Sequence, residues 1–314
     1  MKRRIRMFLG MLCMIGLLTA CSTAMKDGEA ENQVQEQKQT VESMEEAGEK
    51  QKENEIITIS DTVKEFRLYR DNLKIYGQLH MPQGEGPFPV VVMANGFDAN
   101  FAYQMDYVEL LNEKGIAAVI FDFTGIGTTS FSDGTAFDRT MPSNVSDLNI
   151  VLDEALKWPE LDNSKLFLWG HSFGGLVSAG VAGERGQDIQ GLILLEPSFF
   201  VPDQFRELFP EGAEIPFVME YPLPVSREFV KTIRECDIFE SMEKYQGEVL
   251  IFQGTVHTEE ELEEMDYYYG KALETYPNAR LLMIEGADHY FEEEAGLQMT
   301  EQAIEFIENI LEVK

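Results

Sequence analysis

Cysteine, histidine and positive charge are all scarce in this 314-residue chain: three Cys, four His, and 25 Lys and Arg against 56 Asp and Glu. Each shortage excludes something. Cys13 and Cys21 fall in or beside the first apolar segment, which leaves Cys236 alone. No internal disulfide is then available, and the fold must rely on its core. Cys236 itself reads as an inert thiol. No His/Cys cluster has the spacing of a metal site, so neither metal nor cofactor is expected. The formal net charge of −31 repels phosphate backbones and argues against a nucleic-acid partner. The apolar run over residues 7–18 is too short to span a bilayer comfortably. What is present is enough apolar material for a real core, 44% of residues, and no internal repeat.

The chain divides by texture. Lys2, Arg3, Arg4 and Arg6 precede the apolar run, and Leu18, Thr19, Ala20 and Cys21 follow. This pattern resembles a bacterial lipoprotein signal, in which the Cys is lipidated after cleavage. Residues 1–20 are therefore expected to be a signal peptide. Cys21 is expected to be the lipidation site, anchoring the chain to the extracytoplasmic face of a bacterial membrane. Residues 21–55 are rich in Glu, Gln and Lys and poor in large apolar side chains. They cannot bury enough surface to offset ordering entropy, and they read as a flexible acidic tether.

From residue 56 onward the texture is that of a folded domain. Segments 63–69 and 73–80 alternate apolar and polar residues around Arg70, Asp71 and Asn72, a hairpin signal at the edge of a sheet. Short continuous apolar runs at 89–93, 116–121, 166–169, 192–195, 249–252 and 281–284 read as strands buried on both faces. Helical patterns lie at about 103–114, 146–157, 173–184 and 259–275, and Ala303, Ile304, Ile307, Ile310 and Leu311 mark a last helix. Alternating strands and helices imply a mostly parallel sheet covered on both faces, an α/β domain over 56–314. One interval, about 197–245, is too long for a crossover. It is rich in Phe199, Phe200, Phe205, Phe209, Phe217, Met219, Tyr221 and Phe229, and it reads as a lid insertion lining an acyl pocket.

The strand at 166–169 runs into Gly170-His171-Ser172-Phe173-Gly174-Gly175 and then a helix. G-x-S-x-G in that context places a serine on a strained strand-to-helix turn that only small residues can flank. Ser172 is the expected nucleophile, at a helix N-terminus whose free N–H groups can meet a developing anion. Gly175, Ala179, Gly180 and Gly183 are expected to let that helix approach the sheet closely.

These residues resemble the α/β-hydrolase superfamily, and within it the compact bacterial carboxylesterases that include cinnamoyl and feruloyl esterases. The similarity runs from about residue 63 to the C-terminus. Ala94-Asn95-Gly96-Phe97 resembles the H-G-F turn of the oxyanion hole, Asp122-Phe123-Thr124-Gly125-Ile126-Gly127 the D-x-x-G-x-G turn, and Gly286-Ala287-Asp288-His289-Tyr290-Phe291 the segment that carries the catalytic His. The resemblance implies oxyanion donors at the backbone N–H groups of Phe97 and Phe173. Asn95 stands where His is usual, and Asp122 is expected to brace loops.

Among the four His, His171 lies inside the turn and is expected to point away from substrate, while His80 ends an early strand. His289 follows the last strand, on the rim where parallel strands place their C-terminal loops, and is the expected base. The acid is the departure. Related esterases carry G-T-x-D after the seventh strand, and here Gly254-Thr255-Val256 is followed by His257. Glu196 is assigned as the acid: it closes a buried apolar run, where a charge is costly unless paired, and the order Ser172, Glu196, His289 matches the superfamily. Glu259 and Glu260 are the alternatives, and a third is that no acid functions. The expected activity is hydrolysis of small-molecule carboxylic esters through an acyl-enzyme. The alternatives are a surface binding protein that has lost efficient catalysis and a hydrolase of small peptides or amides.

Overall fold

A computed structural model describes residues 52–221 and 223–312. The expected signal, Cys21 and most of the tether lie outside the described residues. The first described strand, β1 (Glu55–Thr58), begins one residue before the expected domain boundary and pairs antiparallel with β2 (Val63–Arg70). β2 forms the expected hairpin with β3 (Leu73–His80), turning through Asp71 and Asn72, both at positive φ. β3 is an interior strand, since its other side pairs antiparallel with β5 (Ala117–Phe121).

From β5 onward all neighbours are parallel. β4 (Phe88–Ala94), β6 (Leu161–His171), β7 (Gly191–Leu195), β10 (Glu248–Gly254) and β11 (Ala279–Ile284) complete a nine-stranded sheet in the order β1-β2-β3-β5-β4-β6-β7-β10-β11. The continuous apolar runs follow from two covered faces. In β4, Val90, Val92 and Ala94 join one core, while Val91 and Met93 join the other, because side chains alternate along a strand.

α1 (Met105–Glu113) and α8 (Glu293–Glu312) cover the second core. α2 (Met141–Ala155), α3 (Phe173–Arg185) and α7 (Glu259–Thr275) cover the first. α2 begins five residues earlier than its apolar period implies. Thr140 and Ser143 form a reciprocal capping box there, and Pro142 suits the first turn. α8 likewise starts ten residues before its first periodic apolar residue.

The 197–245 insertion is ordered: α4 (Val201–Leu208), a small hairpin of β8 (Val218–Tyr221) and β9 (Leu223–Ser226), α5 (Arg227–Arg234) and α6 (Ile238–Lys244). It is anchored on α3. A Cβ built on Gly183 would stand 2.3 Å from the carbonyl oxygen of Ser241 in α6, so this glycine admits the insertion. That corrects the expectation that Gly183 serves the approach of α3 to the sheet.

Candidate active site

The parallel strands end on one rim, and β6, β7, β10 and β11 deliver the site residues there in turn. Ser172 joins β6 to α3 with φ 54° and ψ −119°, a strained conformation for a residue with a side chain. Close packing makes this turn. A Cβ on Gly174 would sit 2.3 Å from the Ala94 carbonyl oxygen, and one on Gly170 2.6 Å from that of Gly174. The backbone N–H of Ser172 donates to the Leu195 carbonyl at 2.8 Å, tying the turn to β7.

His289 lies in the loop after β11, and its Nε2 is 3.0 Å from Ser172 Oγ. On the far side of the ring, Nδ1 is 2.7 Å from Glu196 Oε2. A carboxylate can only accept, so Nδ1 carries the proton and Nε2 is left to accept from the serine hydroxyl. Glu196 closes β7 at φ 38° with its side chain fully buried. Burial would push its carboxyl up, but the bonds from His289 and the Gly254 N–H and the nearness of His257 outweigh that, and it lies below the usual glutamate range. Glu196 is thus held ionised beside the ring.

His257, at the position where the resemblance implied an Asp, does not replace the acid but grips it. Its Nε2 donates to Glu196 Oε1 at 2.7 Å, the oxygen that also accepts from the Gly254 N–H at 2.7 Å. Its Nδ1 faces Glu261 Oε2 at 3.7 Å. One carboxylate therefore sits between two imidazoles. Glu259 and Glu260 are exposed in the first turn of α7, and His289 Nδ1 is already engaged by Glu196.

His171 packs behind the site. Its side chain turns toward the site loop and donates from Nε2 to the backbone carbonyl of His289 at 2.7 Å. Burial and the neighbouring His289 push its pKa down to about 4, so it braces the loop as a neutral donor. The same loop is held by Tyr107, whose hydroxyl donates to the Phe291 carbonyl at 3.2 Å, and by Thr255 Oγ1, which accepts from the Gly286 N–H at 2.9 Å. Ser198, unforeseen from the sequence, places its hydroxyl 3.2 Å from Ser172 Oγ.

Phe97 and Phe173 come together, with ring centroids 5.2 Å apart. Phe173 is the first residue of α3, where no preceding helical turn can accept from its N–H. Asn95 is buried and donates to the Phe121 carbonyl at 2.7 Å, so it serves the turn structurally. Asp122 accepts from the backbone N–H groups of Phe101 and Phe131, each at 2.7 Å, and from Ser130 Oγ, which is loop bracing. From the insertion, Tyr221 and Phe229 pack against Phe97, and Phe205 packs against both of them. Phe199 turns instead to Tyr269 of α7, and Phe217 is 66% exposed against Phe137. Cys236 is half-buried, and burial pushes its thiol up to about 11. Among the described residues no group of three or more His, Cys, Asp or Glu could hold a metal ion.

A mostly parallel sheet with helices on both faces and a serine on the turn after β6 define the α/β-hydrolase fold. Within it, the chain belongs to the family described as serine aminopeptidase, S33 (Hydrolase_4), whose model matches residues 85–263. That match takes in Ser172, Glu196 and His257 and ends before His289. Esterase FrsA of Enterobacter sp. (strain 638) is 31% identical over 131 residues, 39% of this chain and 28% of the relative. The FrsA proteins of Escherichia coli align over a similar stretch, so the match spans little more than a quarter of these relatives' length. Among solved structures, Est1E of Butyrivibrio proteoclasticus with ferulic acid bound superposes with a TM-score of 0.67 at 24% identity, over 78% of this chain and 98% of that one. An acetyl xylan esterase from Paenibacillus sp. R4 gives 0.60 at 16% identity, over 83% and 89%.

Proposed function

We propose that the chain is a serine-dependent hydrolase of small carboxylic esters that works through an acyl-enzyme. The observation that carries this reading is the unbroken line Ser172 Oγ, His289 Nε2, His289 Nδ1, Glu196 Oε2, with spacings of 3.0 and 2.7 Å. In this reading Ser172 Oγ attacks the ester carbonyl as its proton passes to His289 Nε2. Glu196 stabilises the imidazolium so formed and fixes its tautomer. The carbonyl oxygen becomes an anion held by the backbone N–H groups of Phe97 and Phe173. Collapse breaks the bond to the alcohol, which takes the proton from His289. Water, deprotonated in turn by His289, then attacks the acyl-enzyme, releases the acid and restores Ser172. The rings of Phe205, Tyr221 and Phe229 above Phe97 suit an apolar or aryl acyl group. Ferulic acid bound to Est1E is in keeping with that choice.

The same proposal places the enzyme outside the cell, tethered through lipid on Cys21, on the strength of the signal-like residues 2–21 alone. A Cys21→Ala chain released from the membrane fraction and unlabelled by a fatty-acid analogue is the expected result, and unchanged membrane association would refute the anchor.

The family's description as a serine aminopeptidase favours a second substrate reading, amides of small peptides. The two are separated by comparing p-nitrophenyl butyrate with aminoacyl p-nitroanilides. Preferred turnover of the ester, together with fluorophosphonate labelling that disappears in Ser172→Ala, supports the esterase. Preferred turnover of the anilide supports the peptidase, and a folded wild type that neither labels nor turns over either substrate refutes both.

A further inference from the structure

Arg139 is a cation with almost nothing to neutralise it. It precedes α2, is 3% exposed, and has no carboxylate within ion-pair distance among the described residues. Asp147 and Asp98 act on it only at longer range, and Asp147 is already paired with Arg70 at 2.6 Å. Nη1 donates to the backbone carbonyl of Phe97 at 2.7 Å, whereas the buried Nε and Nη2 have no acceptor among the described residues. The guanidinium carbon lies 3.7 Å from the centroid of the Phe97 ring and 5.3 Å from that of Phe173. One side chain thus touches both residues assigned to the oxyanion hole and few other polar groups.

A buried, unpaired cation is costly. That cost falls when a negative charge develops nearby, and in the proposed reaction charge develops only at the tetrahedral stage. An interaction stronger in the transition state than in the ground state is what raises turnover. The carbonyl bond and the stacking also act mechanically: they hold both the carbonyl and the ring of Phe97, and so restrict the rotations that would turn its N–H.

We propose that Arg139 is a positioning residue of the oxyanion hole, holding Phe97 in its donor conformation and leaving an unneutralised positive charge beside the two donors. The proposal rests on the serine-hydrolase reading above. Burial pushes the guanidinium down to about 9, so it stays charged at neutral pH.

The test uses Arg139→Met and Arg139→Gln in the full chain with p-nitrophenyl butyrate, and with an alkyl boronic acid, whose adduct with serine is a tetrahedral anion. Loss of one oxyanion donor typically costs about 10²–10³ in turnover. Arg139→Met is expected to lose kcat on that scale, with KM changed less than about threefold and boronate affinity falling in parallel. Arg139→Gln returns an N–H to the Phe97 carbonyl without the charge, and is expected to recover part of the loss while staying about tenfold below wild type. Should Arg139→Met fail to fold, a folded Arg139→Gln with wild-type kcat and boronate affinity overturns the proposal. A rise in KM at constant kcat also overturns it, since that would make Arg139 a substrate contact. Wild-type turnover and fluorophosphonate labelling are measured alongside: if both are absent, the hydrolase reading falls and takes this one with it.

Discussion

Replacing Glu196 with Gln changes one atom and reverses the hydrogen-bond logic of the site. Glu196 accepts three bonds: from the Gly254 N–H and His257 Nε2 at Oε1, and from His289 Nδ1 at Oε2. A glutamine has one accepting oxygen and one donating NH₂. The Gly254 N–H is a backbone donor that cannot reverse, so the oxygen is held on that side. The NH₂ then faces His289 Nδ1 and requires it to accept. His289 must move its proton to Nε2, where it can no longer receive one from Ser172. The analogous change in a chymotrypsin-type triad lowers turnover by ~10⁴, which corresponds to ~5.4 kcal/mol of transition-state stabilisation. Turnover of p-nitrophenyl butyrate by Glu196→Gln is therefore expected to fall by about four orders of magnitude, with the fold intact by circular dichroism. A folded variant within tenfold of wild type would refute the assignment of Glu196 and the tautomer reasoning with it.

Three further perturbations follow from the same geometry. His257→Phe removes one of the two donors on Glu196 Oε1; a bond to a charged group is worth about 1.5–3 kcal/mol, so kcat is expected to fall about 10- to 100-fold, with His257→Gln recovering most of it, and an unaffected kcat would make His257 incidental. Gly174→Ala drives a methyl to 2.3 Å from a backbone oxygen and is expected to cost ~3 kcal/mol or more, read as a Tm lower by roughly 10 °C. His171 predicts an acid limb of stability: its folded pKa of about 4 lies below the ordinary imidazole value of about 6.5, so between these values the unfolded chain binds the extra proton and stability falls as pH falls. Urea unfolding is expected to lose up to about 2 kcal/mol from this group between pH 7.5 and 5, a loss absent from His171→Gln. The depressed pKa of Glu196 adds its own loss as pH falls below the usual glutamate range.

What the sequence by itself determined were features written in local periodicity and in single turns. Continuous apolar runs such as that of β4 announce a sheet covered on both faces, and Gly170-His171-Ser172-Phe173-Gly174 announces a strand-to-helix turn, because in each the physical demand falls on neighbours in the chain. Strand ends and helix starts were less legible where a cap rather than an apolar period sets them, as at Thr140. The partners of the carboxylate belonged to the tertiary structure. Glu196, His257 and His289 lie on three different strand ends, 61 and 93 residues from the first to the others, and only the lateral order β7-β10-β11 makes them neighbours. The sequence showed a histidine where an acid was expected. The fold shows why the site can accept it, since Glu196 arrives from the adjacent strand and the histidine becomes its second clamp. Arg139 had no sequence signal at all. A lone arginine before a helix looks like surface, and its burial against Phe97 and Phe173 exists only once α2, the turn after β4 and α3 are packed together.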